Sequence, residues 1–372
     1  MATMLTLQEQ SQLSNHRSNG FDYLRFILAV VIVGWHSLWI CYGKTFDYDA
    51  IKSFEPLVLI PVPGFFAMSG FLIAGSLIRI NHLPTFLTLR AIRIFPALIC
   101  EVSVSALIIG AALSTLPLRE YYADPAFHRY FLNLVGKMQY TLPGVFENNL
   151  DNNVNAPLWT IPYELKCYAA ISILYLLTLH RRPRILLCAL AIGTIAVTVY
   201  NIAYPLAPLP GRPNGQLSFA AFFWGMIAYM YREKIVHDGR VALGVFVFAW
   251  IMLSLPYMQF FAAPALAYLT VYIGLCNFRK TIERVGGEMS YGIYLYGFVI
   301  QQSVYQLLPS FRSWHAHFLI SIAIACLLGY LSSILVETKA LGKNNVCVRM
   351  VRALTDRLPF GRQTRKRSSS SV

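Results

Sequence analysis

Long apolar segments alternate with short polar ones along most of the chain. Apolar stretches of around 20 residues, the length that an α-helix needs to cross a bilayer, recur from Phe21 to Val336. The pattern predicts an all-α fold, a polytopic bundle of about ten transmembrane helices. The expected spans cover residues 21–42, 56–80, 94–116, 158–179, 184–203, 216–231, 240–255, 257–276, 289–308 and 315–336.

The composition agrees with membrane insertion and excludes a soluble globule. Among 372 residues, 56% are hydrophobic and only 13% are charged, and that charged share is about half the usual soluble figure. The seven cysteines are scattered and form no Cys-x-x-Cys motif, so we expect neither a disulfide framework nor a metal site.

The basic residues indicate how the chain lies in the membrane. Lys and Arg outnumber Asp and Glu by 31 to 17, which gives a net charge of +14. With the N-terminus in the cytoplasm, the inner segments carry 22 basic residues and the outer segments carry 7, as the positive-inside rule requires. We therefore expect both termini in the cytoplasm. The basic excess then serves membrane orientation and does not indicate a nucleic-acid partner.

This orientation divides the chain into three parts. Residues 1–20 form a polar cytoplasmic segment, and residues 21–340 form the transmembrane domain. The one long outer loop, about residues 117–157, is rich in Pro and Asn and is expected to be partly structured. Residues 341–372 form a basic cytoplasmic tail that we expect to be disordered and to rest near anionic membrane lipid.

The first span carries a polar stripe. Asp22, Arg25 and His36 fall on one face of a helix, because steps of 3 and 11 residues bring side chains back to nearly the same direction. Polar groups inside a membrane are costly and mark functional sites. A neutral histidine in such a site is suited to act as a general base. The alternative is a structural histidine that hydrogen-bonds a neighbouring helix.

Other charged groups lie at or within the membrane. Arg90 and Arg93, one helical turn apart at the predicted cytoplasmic surface, can clamp a phosphate. The plainer alternative for this pair is a positive-inside anchor. Glu164, in the fourth span, needs a partner inside the membrane, and Arg25 or His36 is a candidate.

Four sequence motifs, in order, resemble those of the acyltransferase 3 family of integral membrane acyltransferases. The motifs are Asp22-x-x-Arg25 with His36 eleven residues after the arginine, Phe65-Phe66-x-x-Ser69-Gly70-Phe71, Arg90-x-x-Arg93-Ile94-x-Pro96 and Trp159-Thr160-x-x-x-Glu164. Their order and spacing, together with the ten spans, agree with the family over residues 21–340. One pattern departs from the family, because Tyr296 or Gly297 stands where relatives often have a histidine.

The resemblance implies O-acylation, usually O-acetylation, of a cell-envelope or exported carbohydrate such as lipopolysaccharide O-antigen, an exopolysaccharide or a Nod factor. Acetyl-CoA or another acyl-CoA is the implied co-substrate, and no bound cofactor is implied. The implied location is the inner (plasma) membrane of a bacterium, as a multi-pass protein. Enzymes of envelope polysaccharide biosynthesis are then candidate partners.

The resemblance also assigns roles to individual residues. His36 becomes the catalytic residue and Arg25 its essential partner, and Asp22 and Glu164 complete the catalytic set. The remaining assignments are Arg90, Arg93, Ser69 and Gly70 for the CoA co-substrate, and Trp159, Tyr291 and Tyr294 for the substrate.

Two other functions fit the same sequence. In a transporter or flippase for an envelope polysaccharide precursor, the polar stripe would line a pathway through the membrane. A receptor-like membrane scaffold would use the long outer loop, but it gives the intramembrane His36 and Arg25 no task.

Overall fold

A computed structural model describes residues 5–14, 18–43, 52–204, 214–278 and 286–341. Within these residues the fold is α-helical and has no β-strand, only two isolated β-bridges. The predicted basic tail lies outside the described residues, except for its first position. The described helices of 14 residues or more, labelled α1 to α10, are Gly20–Tyr42, Pro61–Ile80, Leu83–Val104, Thr160–Leu176, Pro183–Ala203, Gly215–Met230, Gly239–Ser254, Ala262–Leu275, Gly286–Leu307 and Trp314–Ser332.

Helices occupy all ten apolar segments, but they differ in their ability to cross a membrane. Within the described residues, five are long and apolar enough to do so, namely Gly20–Tyr42, Lys52–Ile80, Leu83–Leu113, Pro183–Ala203 and Trp314–Ala340. Helices α4 and α6 to α8 have only 14 to 17 residues, or about 21–26 Å against a hydrocarbon core of about 30 Å. The chain is therefore an integral membrane protein, while the number of ten spans stays a prediction.

Helix α3 begins earlier than the apolar pattern predicts. The apolar run starts at residue 94, yet the helix starts at Leu83. The ring of His82 accepts a hydrogen bond from the Thr85 backbone, and Pro84 occupies the first turn, where its missing N–H costs nothing. The predicted loop arginines Arg90 and Arg93 consequently lie inside a helix.

Helix α1 makes extensive contacts with other helices of the bundle. It packs against α2, α8, α9 and α10. The closest helix pair is α2 with α6, where glycine permits near contact of the two backbones. A Cβ atom built on Gly70 would lie 1.8 Å from the Phe222 carbonyl oxygen, and one on Gly225 would lie 1.9 Å from that of Ala67.

Contacts between distant segments define one end of the bundle, here called the N-terminal face. A short helix, Leu7–Leu13, lies there and begins with a capping box between Thr6 and Glu9. The Leu7 backbone N–H donates to the Ile235 carbonyl over 2.9 Å, and the Asn19 side chain donates to the Phe278 carbonyl over 2.8 Å. The segments before α1, after α6 and after α8 thus share one face, as the predicted topology requires of inner segments.

The opposite end, here called the loop face, carries residues 114–159. This loop contains the short helices Leu118–Ala123 and Pro125–Tyr130, and it folds over buried groups. The fully buried Tyr121 donates its hydroxyl to the Ala106 carbonyl over 2.6 Å. The distribution of Lys and Arg is what predicts that the loop face lies outside the cytoplasm.

Candidate active site

A cavity of about 650 Å³ opens among the helix ends at the loop face. Helix α1 contributes Trp35, His36 and Trp39, spaced so that one side of its last turns faces the cavity. The rest of the lining comes from the long loop, α9, the end of α5, the starts of α2, α4 and α6, and the segments before α2 and α8. The lining residues with a polar or aromatic side chain are Trp35, His36, Trp39, Glu55, Tyr140, Asp151, Asn153, Trp159, Tyr163, Asn201, Asn214, Tyr257, Gln259, Phe260, Tyr294 and Phe298.

His36 lies in the wall of this cavity. Its ring packs edge-on against Phe298, with ring centroids 5.1 Å apart and an angle of 86° between the planes. No described residue hydrogen-bonds either ring nitrogen of His36. The structural alternative, a histidine tied to a neighbouring helix by a hydrogen bond, is therefore not what the described residues show. The imidazole is available to a molecule in the cavity.

Asp151 lies in the same cavity, although no sequence motif indicated it as a site residue. Its carboxylate accepts a hydrogen bond from the Trp39 indole over 3.0 Å and another from the Asn153 backbone over 2.9 Å. The Gln302 side chain donates to the carbonyls of Asp151 and Asn153, over 2.7 Å and 2.9 Å. In the sequence, Asp151 is a single carboxylate inside an Asn-rich run, and that run predicted only a loop.

A fully buried hydrogen-bond network lies directly behind His36. The Gln301 side chain donates to the Ser37 hydroxyl over 2.7 Å and to the Val33 carbonyl over 2.8 Å. The ring of His317 is hydrogen-bonded to Ser37 over 3.1 Å and to the Gln301 carbonyl over 2.8 Å. These hydrogen bonds tie the last turns of α1 to α9 and α10.

A second buried network supports the wall formed by the end of the long loop. Glu101 on α3 is fully buried and accepts hydrogen bonds from Ser105 over 2.7 Å and from Asn155 over 2.6 Å. The Asn155 amide also donates to the Leu295 carbonyl over 2.7 Å. Asn155 precedes the cavity residues Ala156 and Pro157, so Glu101 acts on the site through the loop backbone.

The arginines assigned from sequence form a separate group, here called the arginine cluster: Arg25, Arg90 and Arg93. None of them lines the cavity. Arg25 donates to the Asp22 carboxylate over 3.1 Å and is electrostatically coupled to the other two. Arg25 and His36 are about 16 Å apart along α1. They share a face of the helix, as predicted, but not a contact.

Glu164 lies near Arg90 and Arg93 and does not line the cavity that contains His36. Its carboxylate accepts a hydrogen bond from the Tyr168 hydroxyl over 2.6 Å and is electrostatically coupled to Arg90 and Arg93. The neighbouring residue Tyr163 lines the cavity. The start of α4 therefore extends from the cavity to the arginine cluster.

The remaining predicted residues divide between these regions and the packing interface. Trp159 and Tyr294 line the cavity, and the Tyr294 hydroxyl is hydrogen-bonded to Thr160 over 2.6 Å. Tyr291 instead donates to the Ile94 carbonyl of α3 over 3.3 Å. Ser69 and Gly70 do not line the cavity, and Gly70 is where α2 and α6 touch. The described residues contain no group of three or more His, Cys, Asp or Glu arranged to hold a metal ion.

Comparison with known proteins identifies the family. The sequence model described as an acyltransferase domain, Acyl_transf_3, matches residues 18–337. An O-acetyl transferase of Shigella phage Sf6 is 26% identical over 342 residues, which cover 89% of this chain and 98% of the relative. Nodulation protein 10 of Rhizobium leguminosarum bv. viciae is 27% identical over 324 residues, covering 78% and 84%. No solved structure matches the chain significantly. The chain belongs to the acyltransferase 3 family of integral membrane O-acyltransferases.

Proposed function

We propose that the protein transfers an acetyl group from acetyl-CoA to a hydroxyl of a cell-envelope or exported carbohydrate, in the inner membrane of a bacterium, with His36 as general base. The observation that carries this proposal is the placement of His36, without a hydrogen-bond partner among the described residues, in a cavity rich in aromatic, amide and carboxyl groups. The relative named an O-acetyl transferase supports acetyl as the transferred group.

The reaction needs one proton acceptor and one carbonyl carbon close together. His36 takes the proton of the sugar hydroxyl as the oxygen attacks the thioester carbonyl and forms the new C–O bond. The tetrahedral intermediate then collapses, the C–S bond breaks, and the imidazolium returns its proton to the departing thiolate. The products are the acetyl ester and free CoA. His36 ends in its starting state, as a catalyst must.

The arginine cluster is the candidate site for the phosphates of CoA. Arg90 and Arg93 lie one turn apart on α3, and guanidinium groups bind phosphate oxygens through paired, charge-assisted hydrogen bonds. The Nε atom of Arg90 is buried without a hydrogen-bond partner among the described residues. From this cluster, the long pantetheine arm would follow α4 toward Trp159 and the cavity. The thioester would then meet the acceptor hydroxyl beside His36.

A comparison of wild type with His36→Ala tests the proposal. The ester content of the host's surface and exported polysaccharides is measured in both strains, with a membrane blot to show that the variant accumulates. Loss of one acetyl-ester signal with normal protein supports catalysis by His36 and identifies the acceptor polymer. An unchanged ester profile, in a host that makes the polymer, contradicts the mechanism.

A further inference from the structure

The charged side chains of the site are segregated. The described residues that line the cavity include two carboxylates, those of Asp151 and Glu55, and no Lys or Arg. The arginine cluster lies elsewhere in the bundle. Since opposite charges attract, an anionic ligand such as CoA is favoured at the arginines and disfavoured in the cavity. The cavity and the cluster therefore suit ligands of different charge.

The Asp151 carboxylate can accept more hydrogen bonds than the described residues donate to it. An ionised carboxylate offers about four acceptor sites and no donor. The Trp39 indole and the Asn153 backbone occupy two of these, and both are neutral donors, so no described residue pairs this carboxylate with a positive charge. A ligand that binds this carboxylate must bring O–H or N–H groups. Hydroxyls of a sugar meet that condition, and an acyl chain does not.

The position of the Asp151 carboxylate is held from two sides. Gln302 on α9 binds the backbone carbonyls at 151 and 153, and Trp39 on α1 binds the carboxylate itself. A group held in this way loses little conformational entropy when a ligand arrives. Such preorganisation is typical of a binding residue.

Aromatic rings complete the chemistry of the cavity. Trp35, Trp39, Trp159 and Tyr294 line it together with Asp151. Aromatic faces bury apolar C–H surfaces, while polar side chains fix orientation through hydrogen bonds. A sugar ring presents both kinds of surface, with C–H faces and hydroxyl edges.

We infer that this cavity is the acceptor site, that Asp151 binds hydroxyls of the acceptor sugar, and that the sugar unit bound there is uncharged or cationic and not acidic. The inference rests on the proposed function and adds to it the residue and the charge class that select the acceptor. In this arrangement Asp151 also keeps CoA phosphates out of the cavity.

The test uses the full chain in proteoliposomes with labelled acetyl-CoA. The acceptor is the host polysaccharide identified by the His36 experiment, stripped of esters by mild alkali. In Asp151→Asn we expect the KM for this acceptor to rise about tenfold or more, with the KM for acetyl-CoA changed less than about twofold. Asp124→Asn is the matched control. Asp124 belongs to the same loop, caps the helix Pro125–Tyr130 and does not line the cavity.

A second measurement addresses charge. The same polymer, with its primary hydroxyls partly oxidised to carboxylates, is used as an inhibitor of transfer. We expect the oxidised polymer to inhibit transfer by wild type about fivefold more weakly than the unoxidised, pre-acetylated polymer does. In Asp151→Asn, we expect this difference between the two polymers to shrink to less than about twofold.

The outcomes distinguish a failure of this inference from a failure of the proposed function. An acceptor KM in Asp151→Asn equal to that of wild type overturns the assignment of Asp151, and equal inhibition of wild type by both polymers overturns the charge selection. A parallel rise in both KM values with loss of folded protein shows that Asp151 only supports the loop, and that also overturns the assignment. If wild type transfers no acetyl group at all, the proposed function itself fails.

Discussion

The indole nitrogen of Trp39 lies 3.0 Å from the Asp151 carboxylate and donates a hydrogen bond to it across 112 positions of sequence. This bond joins the end of helix α1, which carries His36, to the loop that lines part of the cavity. The bond thereby fixes the position of the loop relative to the part of α1 that carries His36.

Replacing Trp39 by Phe tests this bond, because Phe keeps an aromatic ring and removes the donor. We expect the KM for the acceptor to rise about threefold to tenfold, since one hydrogen bond to a charged group contributes about 1.5–3 kcal/mol, part of which water recovers. Steady-state kinetics with varied acceptor measures the change. Trp250→Phe, on α7 and outside the cavity lining, is the control. Equal effects of the two substitutions would contradict the role given to Trp39.

Neutralising Arg90 tests the site for CoA phosphates. In Arg90→Gln we expect the KM for acetyl-CoA to rise about tenfold or more, because a charge-assisted hydrogen bond is lost, while the KM for the acceptor stays unchanged. Arg93→Gln should act in the same direction. Kinetics with varied acetyl-CoA gives the result. Arg240→Gln, an exposed arginine in the first turn of α7, controls for the loss of a basic residue. A rise in the acceptor KM alone would remove Arg90 from the donor site.

Adding one methyl group at Gly70 tests the contact between α2 and α6. In Gly70→Ala the new Cβ would lie 1.8 Å from the Phe222 carbonyl oxygen, so the two helices must separate. We expect a large loss of folded protein in membranes and a lower thermal midpoint in detergent. Gly193→Ala is the matched control, because nothing lies within 4 Å of its added Cβ and Ala favours the helix by up to about 1 kcal/mol. If Gly70→Ala accumulates and melts like wild type, the backbone contact is not as close as described.

Removing the buried carboxyl of Glu101 tests the support of the cavity wall. In Glu101→Ala the groups of Ser105 and Asn155 lose their acceptor, and we expect a destabilisation of about 1–3 kcal/mol. Glu101→Gln keeps one oxygen as acceptor and should be milder. Thermal unfolding of the purified protein, followed by size-exclusion chromatography, compares the two variants. A thermal midpoint in Glu101→Ala equal to that of wild type would show that Asn155 is held by the Leu295 carbonyl alone.

The sequence by itself determined the class of fold and the candidate catalytic histidine. Apolar segments long enough to span a bilayer must become helices, because lipid cannot satisfy free backbone N–H and C=O groups. Helical periodicity placed Asp22, Arg25 and His36 on one face of α1, and four ordered motifs indicated the family that comparison confirms. These features depend only on the spacing of residues along the chain, and that spacing can be read directly from the sequence.

The tertiary structure decided which of these residues act together. It placed Glu164 near Arg90 and Arg93, kept both arginines out of the cavity lining, and brought Gly70 into the contact between α2 and α6. It also brought Asp151, part of a run that predicted only a loop, to the side of Trp39. Spacing within a helix gives direction and depth, but a contact between residues far apart in sequence depends on how the helices pack and where the loop folds back onto them.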